Sequence, residues 1–133
     1  MIRYKYYQPN KLDYKDEEND CVIRGLTKFL GKTWVETFDI VCKIARENQK
    51  MPNSLAIVEQ LMKIMGISKV SEYKPRAKNK VTVSSFCKEH NVGVYLLYVR
   101  AGFGTHIVCV ENGYYFDTWD CGDRLVYASW KKV

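Results

Sequence analysis

Apolar residues recur at helical spacing through the first half of the chain and run in strand-like blocks through its last third. Val22, Leu26, Phe29 and Leu30 fall on one helical face, with Asn19 or Asp20 ahead of them as a cap and Gly31 behind as a stop. Thr33 opens a second helix, and Glu36 three residues on completes a capping box. The expected inner face of that helix is Val35, Phe38, Val41, Cys42 and Ala45. "NQKMPN" interrupts it, and Asn53 or Ser54 starts a third helix with Leu55, Val58, Leu61, Met62 and Met65 inward, stopped by Gly66. Residues 67–80 read as a polar connection. Thr82 or Ser84 then opens a short helix running to about His90.

From Gly93 the period changes. "GVYLLYV" is a nearly continuous apolar block rich in β-branched and aromatic residues, as a buried strand requires. "THIVCVE" and "YYFDTW" flank Asn112-Gly113, a pair that supplies the two positive-φ positions of a tight hairpin. "RLVYASWKKV" is a final strand. Residues 1–18 mix tyrosine with charge and read as an arm that lays its tyrosines on the domain. Helices come first and strands second. The predicted class is therefore α+β, one domain over residues 1–133, with N-terminal helices packed on a C-terminal antiparallel sheet.

The same layout singles out three side chains. Cys21 stands at the mouth of the first helix, where free N–H groups and the helix dipole favour a thiolate. His106 lies on a strand after "RAGFGT", where Gly102 and Gly104 leave room for a substrate backbone or make a turn. If Asn112 and Gly113 are the turn, Glu111 pairs with Tyr114, Val108 faces Asp117, and His106 faces Trp119. His106 and Asp117 are then diagonal neighbours on one face, about 7–8 Å apart along the backbone. Asp117 interrupts a strand that is otherwise apolar on both faces, so its carboxylate needs a partner. His106 is the nearest, and Trp119 can cover the bond from water. Each residue also has a plainer role: Cys21 as the first core residue of a helix, His106 as a core histidine. Together they form a Cys-His-Asp set in which a base activates the thiol and a carboxylate orients the base.

Composition narrows the alternatives. The 133 residues carry a net charge of +6, 47% hydrophobic and 27% charged positions, the profile of one globular core. There is no apolar run long enough to span a membrane and no secretory h-region, so the expected location is cytoplasmic. Five cysteines, an odd number without close pairs, argue against a disulfide framework. Cys87 and His90 form a C-x-x-H pair that lacks the other two ligands of a zinc site, so no metal or other cofactor is expected. His90 itself is expected to be exposed or to act as a C-terminal cap. The one basic cluster, Lys74 to Lys80, has no interleaved aromatics, so no nucleic-acid partner is expected.

Cys21 in "NDCVIRGL", His106 in "GTHIVCV" and Asp117 in "FDTWD" stand in an order that resembles papain-like cysteine peptidases. In that family the nucleophilic cysteine opens the central helix, the histidine follows far downstream on a strand, and an Asn or Asp follows on the next. Asp117-Thr118-Trp119 also resembles the family's third member followed two residues later by tryptophan. The resemblance covers the helix start and the final hairpin, and it extends to cell-wall peptidases of the NlpC/P60 and CHAP type. It implies a papain-like fold and a catalytic set of Cys21, His106 and Asp117, with Trp119 in support. The substrate it implies is a peptide or protein, cut at a peptide, isopeptide or related amide bond. The family's upstream oxyanion glutamine has no counterpart, Gln8 being too distant, and Asn19 has the amide chemistry for that role. The C-[GS]-x-C-W-like signature is absent, and the chain is shorter than a typical papain. The other expectations are a fold of this kind that binds or inhibits a protein without turnover, and a cell-wall amidase or endopeptidase.

Overall fold

The computed structural model describes residues 2–12, 19–72, 80–102 and 104–133. The basic cluster lies outside them except for Lys80, as do residues 13–18 of the expected arm. Among the described residues, four helices and six strands are ordered as β1 (Tyr4–Tyr6), α1 (Cys21–Leu30), α2 (Trp34–Asn48), α3 (Leu55–Ile64), β2 (Lys69–Glu72), α4 (Val83–Glu89), β3 (Val94–Ala101), β4 (Gly104–Glu111), β5 (Tyr114–Asp117) and β6 (Val126–Lys131). The strands form one sheet in the order β1-β5-β4-β3-β6-β2. The class is α+β.

The hairpin forms in the register the sequence dictates. Asn112 (φ 49°) and Gly113 (φ 82°) both adopt the left-handed conformation of a tight turn. Glu111 pairs with Tyr114, Val110 with Tyr115 and Cys109 with Phe116. The next step along this ladder sets Val108 against Asp117. Because side chains alternate in a strand, Val108, Val110 and His106 share one face of β4 and Ile107 and Cys109 the other.

Each face of the sheet has its own core. On one side Leu96, Ile107, Cys109, Ala128 and Trp130 pack under α1, α2 and α3; on the other Leu97, Val99, Val108, Val110 and Val126 pack under Val83, Phe86 and Cys87 of α4. α1 is the central helix of the first core: eight of its ten residues are buried, against the single apolar stripe expected. Leu26 and Phe29 are fully buried, each contributing about 1.5–3 kcal/mol by area removed from water. Gly25 permits the close approach of α1 to the sheet. A Cβ there would stand 2.8 Å from Ile107 Cγ2 and 3.3 Å from Leu96 Cδ1.

The structure departs from the sequence reading in four places, the smallest being Met65, expected inward but exposed as the C-cap of α3. The sheet is mixed, not antiparallel, because β1 pairs parallel to β5 (Tyr4 with Tyr115, Tyr6 with Asp117). Three residues of an edge strand are too few to display a period of two. The connection before α4 contains β2, an antiparallel partner of β6. Its "KVSE" sequence is polar because an edge strand faces water, and charge there discourages further pairing. Finally, α2 is turned: Val35 and Phe38 are exposed, and Thr37, Val41, Ile44 and Ala45 are buried. The Thr37 hydroxyl satisfies itself on the Thr33 carbonyl at 2.9 Å. Phe38 stacks instead on Trp34, with ring centroids 5.0 Å apart. Among the described residues, no helix is long and apolar enough to cross a membrane.

Candidate active site

Cys21 is the first residue of α1, and only 7% of its surface is exposed. Asp20 precedes it at the cap position but makes no capping bond with its side chain. The carboxylate turns inward, accepting from Arg24 Nη1 and, at 2.8 Å, from the Trp34 indole N–H. The first turn of a helix leaves N–H groups without intrahelical partners. Here Asn53, in the link before α3, supplies one: its Oδ1 accepts the Val22 N–H at 3.0 Å and lies 3.8 Å from Cys21 Sγ.

β5 ends at Asp117, so the edge of β4 beyond Val108 has no strand beside it. The start of α1 lies there. The His106 ring and the Ile107 backbone N–H both lie close enough to act on the Cys21 thiol. His106 is 2% exposed, and its Nε2 lies 2.5 Å from Asp117 Oδ2. That leaves Nδ1 for the sulfur. Trp119 covers the ring, with centroids 5.0 Å apart and planes inclined at 45°. Asp117 is equally buried and gathers further donors. Oδ1 accepts the Thr118 N–H at 2.8 Å and Arg24 Nη2 at 3.3 Å, and the Cys121 thiol donates to Oδ2 at 3.4 Å. The expected Cys21, His106, Asp117 and Trp119 are thus brought together. Asn19 is exposed at the rim of the same site.

The electrostatics follow from these contacts. Burial pushes the Cys21 thiol up, but the hydrogen bond and charge of His106, the Ile107 N–H and the Arg24 charge together bring it below its ordinary value. Burial pushes His106 down. The hydrogen bond to Asp117, reinforced by Cys21, outweighs it and raises the imidazole to about 9. A thiolate facing an imidazolium is the state both shifts favour. At three other cysteines burial dominates: Cys87 is pushed up to about 12 against the opposing charge of Arg3, Cys109 rises against Lys28, and Cys121 rises with Asp117 adding to the effect.

A cavity of about 320 Å³ opens onto the thiol, bordered by Asn19, Asn53, Ser54, Leu55, Gly104 and Thr105. Of the two glycines before His106, Gly104 (φ 134°) flanks the cleft and Gly102 lies in a turn; Phe103 between them is outside the described residues. A larger, mostly apolar cavity of about 820 Å³ lies between the N-terminal segment and α2, lined by Tyr7, Pro9, Leu12, Trp34 and Val35 among others. Among the described residues its lining holds no cysteine or histidine, and it touches the network through Trp34.

His106, Asp117 and Cys121 offer three ligand atoms within 4.8 Å of one another. Their spacing does not suit an ion. Neighbouring ligands of a tetrahedral zinc stand about 3.3 Å apart, whereas His106 Nε2 and Asp117 Oδ2 are 2.5 Å apart, the separation of a shared proton. The C-x-x-H pair separates: Cys87 is in the second core, and His90 caps α4, stacked on Phe86 with Nδ1 2.9 Å from the Phe86 carbonyl.

Sequence reasoning missed Asn53, Arg24 and Asp20. Asp20 and Arg24 are visible as an i, i+4 charge pair on a helix, but nothing in their spacing points to Asp117. Asn53 reads as a cap for the helix after it, and it caps a different one. Comparison with known protein families, curated proteins and solved structures yields no match.

Proposed function

We propose that this protein is a small papain-like thiol hydrolase that cleaves a peptide, isopeptide or related amide bond. The observation that carries the reading is the convergence of Cys21, His106 and Asp117 from a helix start and two strands, with the thiol lowered and the imidazole raised. The papain-like fold is part of the same proposal. It rests on a nucleophile at the head of the central helix, a base on β4 beside it, and an acid on β5 beyond a tight turn.

The chemistry follows from the contacts. The Cys21 thiolate attacks the acyl carbon, forming a C–S bond as the carbonyl π pair moves onto oxygen. In this reading the N–H of Cys21, at the open start of α1, receives that oxyanion, aided by an amide side chain. Asn53 and Asn19 both border the cavity, and Asn53 Oδ1 lies 3.8 Å from the sulfur. Collapse breaks the C–N bond, and the leaving amine takes the proton from His106. His106, now neutral, removes a proton from water, which attacks the thioester and releases the acid and the thiol. Asp117 holds the ring in the required tautomer, and Trp119 keeps water from that bond.

The test is chemical. The five cysteines are alkylated with iodoacetamide across pH and mapped by peptide mass spectrometry, and peptide and isopeptide libraries are assayed with wild type and Cys21→Ala. The reading expects Cys21 to react first, well below the pH at which an ordinary thiol reacts, and hydrolysis to vanish in Cys21→Ala. Alkylation of Cys21 no faster than the partly exposed Cys42, or full activity in Cys21→Ala, would refute it.

A further inference from the structure

We propose that Arg24 is a positioning residue for the His106–Asp117 pair, held in place by Asp20 and Trp34. The inference rests on the thiol-hydrolase reading and adds to it a residue outside the triad. Asp117 is the last residue of β5, so the ladder does not extend past it to fix its carboxylate. A carboxylate at such a point can rotate about its last torsion and present either oxygen. Here Oδ1 is pinned from two sides, by the Thr118 N–H and by Arg24 Nη2, and this leaves Oδ2 directed at His106 Nε2.

Arg24 is itself held. Its Nη1 donates to Asp20 Oδ1, and the other oxygen of Asp20 accepts the Trp34 N–H. The result is a buried chain from Trp34 on α2 through Asp20 and Arg24 on α1 to Asp117 on β5. Asp20 precedes the nucleophile and Arg24 lies three residues beyond it, so one segment carries both the thiol and the clamp on the acid. The planar fork of arginine suits this bridging, since its two terminal nitrogens reach separate carboxylates.

A purely architectural role fits less well. The Arg24 Nε is buried without a partner, and Asp20, Arg24 and Asp117 are all buried. An apolar trio of similar volume would fill the same space without desolvating three charges. The arrangement is intelligible if the position of Asp117 matters more than the stability it costs. The Arg24 charge also acts on the nucleophile directly, favouring the thiolate.

The experiment compares wild type with Arg24→Met, Arg24→Lys and Trp34→Phe. Three readouts are taken: the pH profile of Cys21 alkylation, the melting temperature, and the ring nitrogen signals of His106 by NMR. Arg24→Met is expected to move the alkylation midpoint upward by about one pH unit or more, the effect of removing a charge partner, and to change the His106 ring signals. Arg24→Lys recovers part of the shift, because it restores charge without bridging both carboxylates. Trp34→Phe moves the midpoint the same way by less. A lowered melting temperature with an unmoved alkylation profile and unchanged His106 signals would overturn the proposal. If Arg24→Met does not fold, Arg24→Lys and Trp34→Phe decide: two profiles superimposed on wild type overturn it equally. The NMR readout separates this inference from the hydrolase reading. Sluggish Cys21 in wild type sinks the hydrolase reading, yet a His106–Asp117 signature present in wild type and lost in Arg24→Met still supports positioning by Arg24.

Discussion

Gly25→Ala should weaken the thiol from one helical turn away. The glycine has no positive φ to protect, and alanine is the better helix former by about 0.8–1.0 kcal/mol. Against that gain, the new methyl would stand 2.8 Å from Ile107 Cγ2, about 0.6 Å inside ordinary contact. Ile107 has little freedom to yield. It is β-branched, sits mid-strand in a ladder with β3, and its own backbone carbon is only 3.7 Å from the methyl position. Overpacking of this kind costs about 1–3 kcal/mol, so the net destabilisation is about 0–2 kcal/mol. The larger effect is geometric. Ile107 both meets the methyl and presents the backbone N–H that acts on Cys21, and Cys21 and Gly25 lie four residues apart on the same face of α1. A helix displaced by about 0.6 Å carries the sulfur away from both the amide and His106. At a hundredfold per ångström, the expected loss in Cys21 alkylation rate near neutral pH is roughly tenfold. The assay is alkylation followed by mass spectrometry, at a temperature where chemical denaturation shows both proteins fully folded. A variant with lowered stability and undiminished reactivity would refute the reasoning, because it would mean that Ile107 gives way and the helix stays.

Asp117→Asn keeps the shape but leaves Arg24 short of one buried counter-charge and His106 without an anionic partner; it should cost about 3 kcal/mol in urea denaturation and slow Cys21 alkylation at pH 6 at least tenfold. pH separates alkylation from turnover. Alkylation should begin below the ordinary thiol value of 9.0, since the folded Cys21 lies beneath it. Hydrolysis also needs the His106 proton, so it should fall as pH rises through about 9 while alkylation stays high; the two profiles falling together would contradict the roles given to Cys21 and His106. Asn53→Ala strips the Val22 N–H of its acceptor and should cost about 1 kcal/mol in the same denaturation assay, as loss of a helix cap does.

Local chemistry was legible in the sequence wherever it was decided locally. Asn112-Gly113 fixed a turn, the turn fixed the pairing of β4 with β5, and that pairing brought Asp117 beside His106; Trp119, expected as the ladder partner of His106, instead reaches its ring from the bend after β5. The capping box at Thr33 formed as its spacing requires, and of the two candidates Thr82 and Ser84 it is Thr82 that caps α4. The illegible part depended on neighbours distant in sequence. The exposed Val35 and Phe38 obey the helical period of α2, but Trp34 is drawn to Asp20 and turns the helix. Asn53 and Arg24 carry ordinary helix-end and helix-surface signatures, and their partners, Val22 and Asp117, are 31 and 93 residues away. The polar edge strand β2 and the short parallel β1 have too little apolar pattern to register at all. The meeting of Cys21 and His106 was the step that no local rule supplied, because it depends on the gap beside β4 where β5 ends.

The separation of the site along the chain governs when chemistry becomes available. Cys21 leaves the ribosome long before His106 and Asp117. At about 5–20 residues per second, the interval before the acid follows the nucleophile is about 5–20 s. Throughout it the thiol lacks the groups that lower it most: His106 and the Ile107 amide arrive later, and only Arg24 is already beside it in sequence. A nascent chain therefore presents its surroundings with an ordinary cysteine. On the proposed reading, the lowered thiol therefore exists only after the C-terminal hairpin has closed on α1.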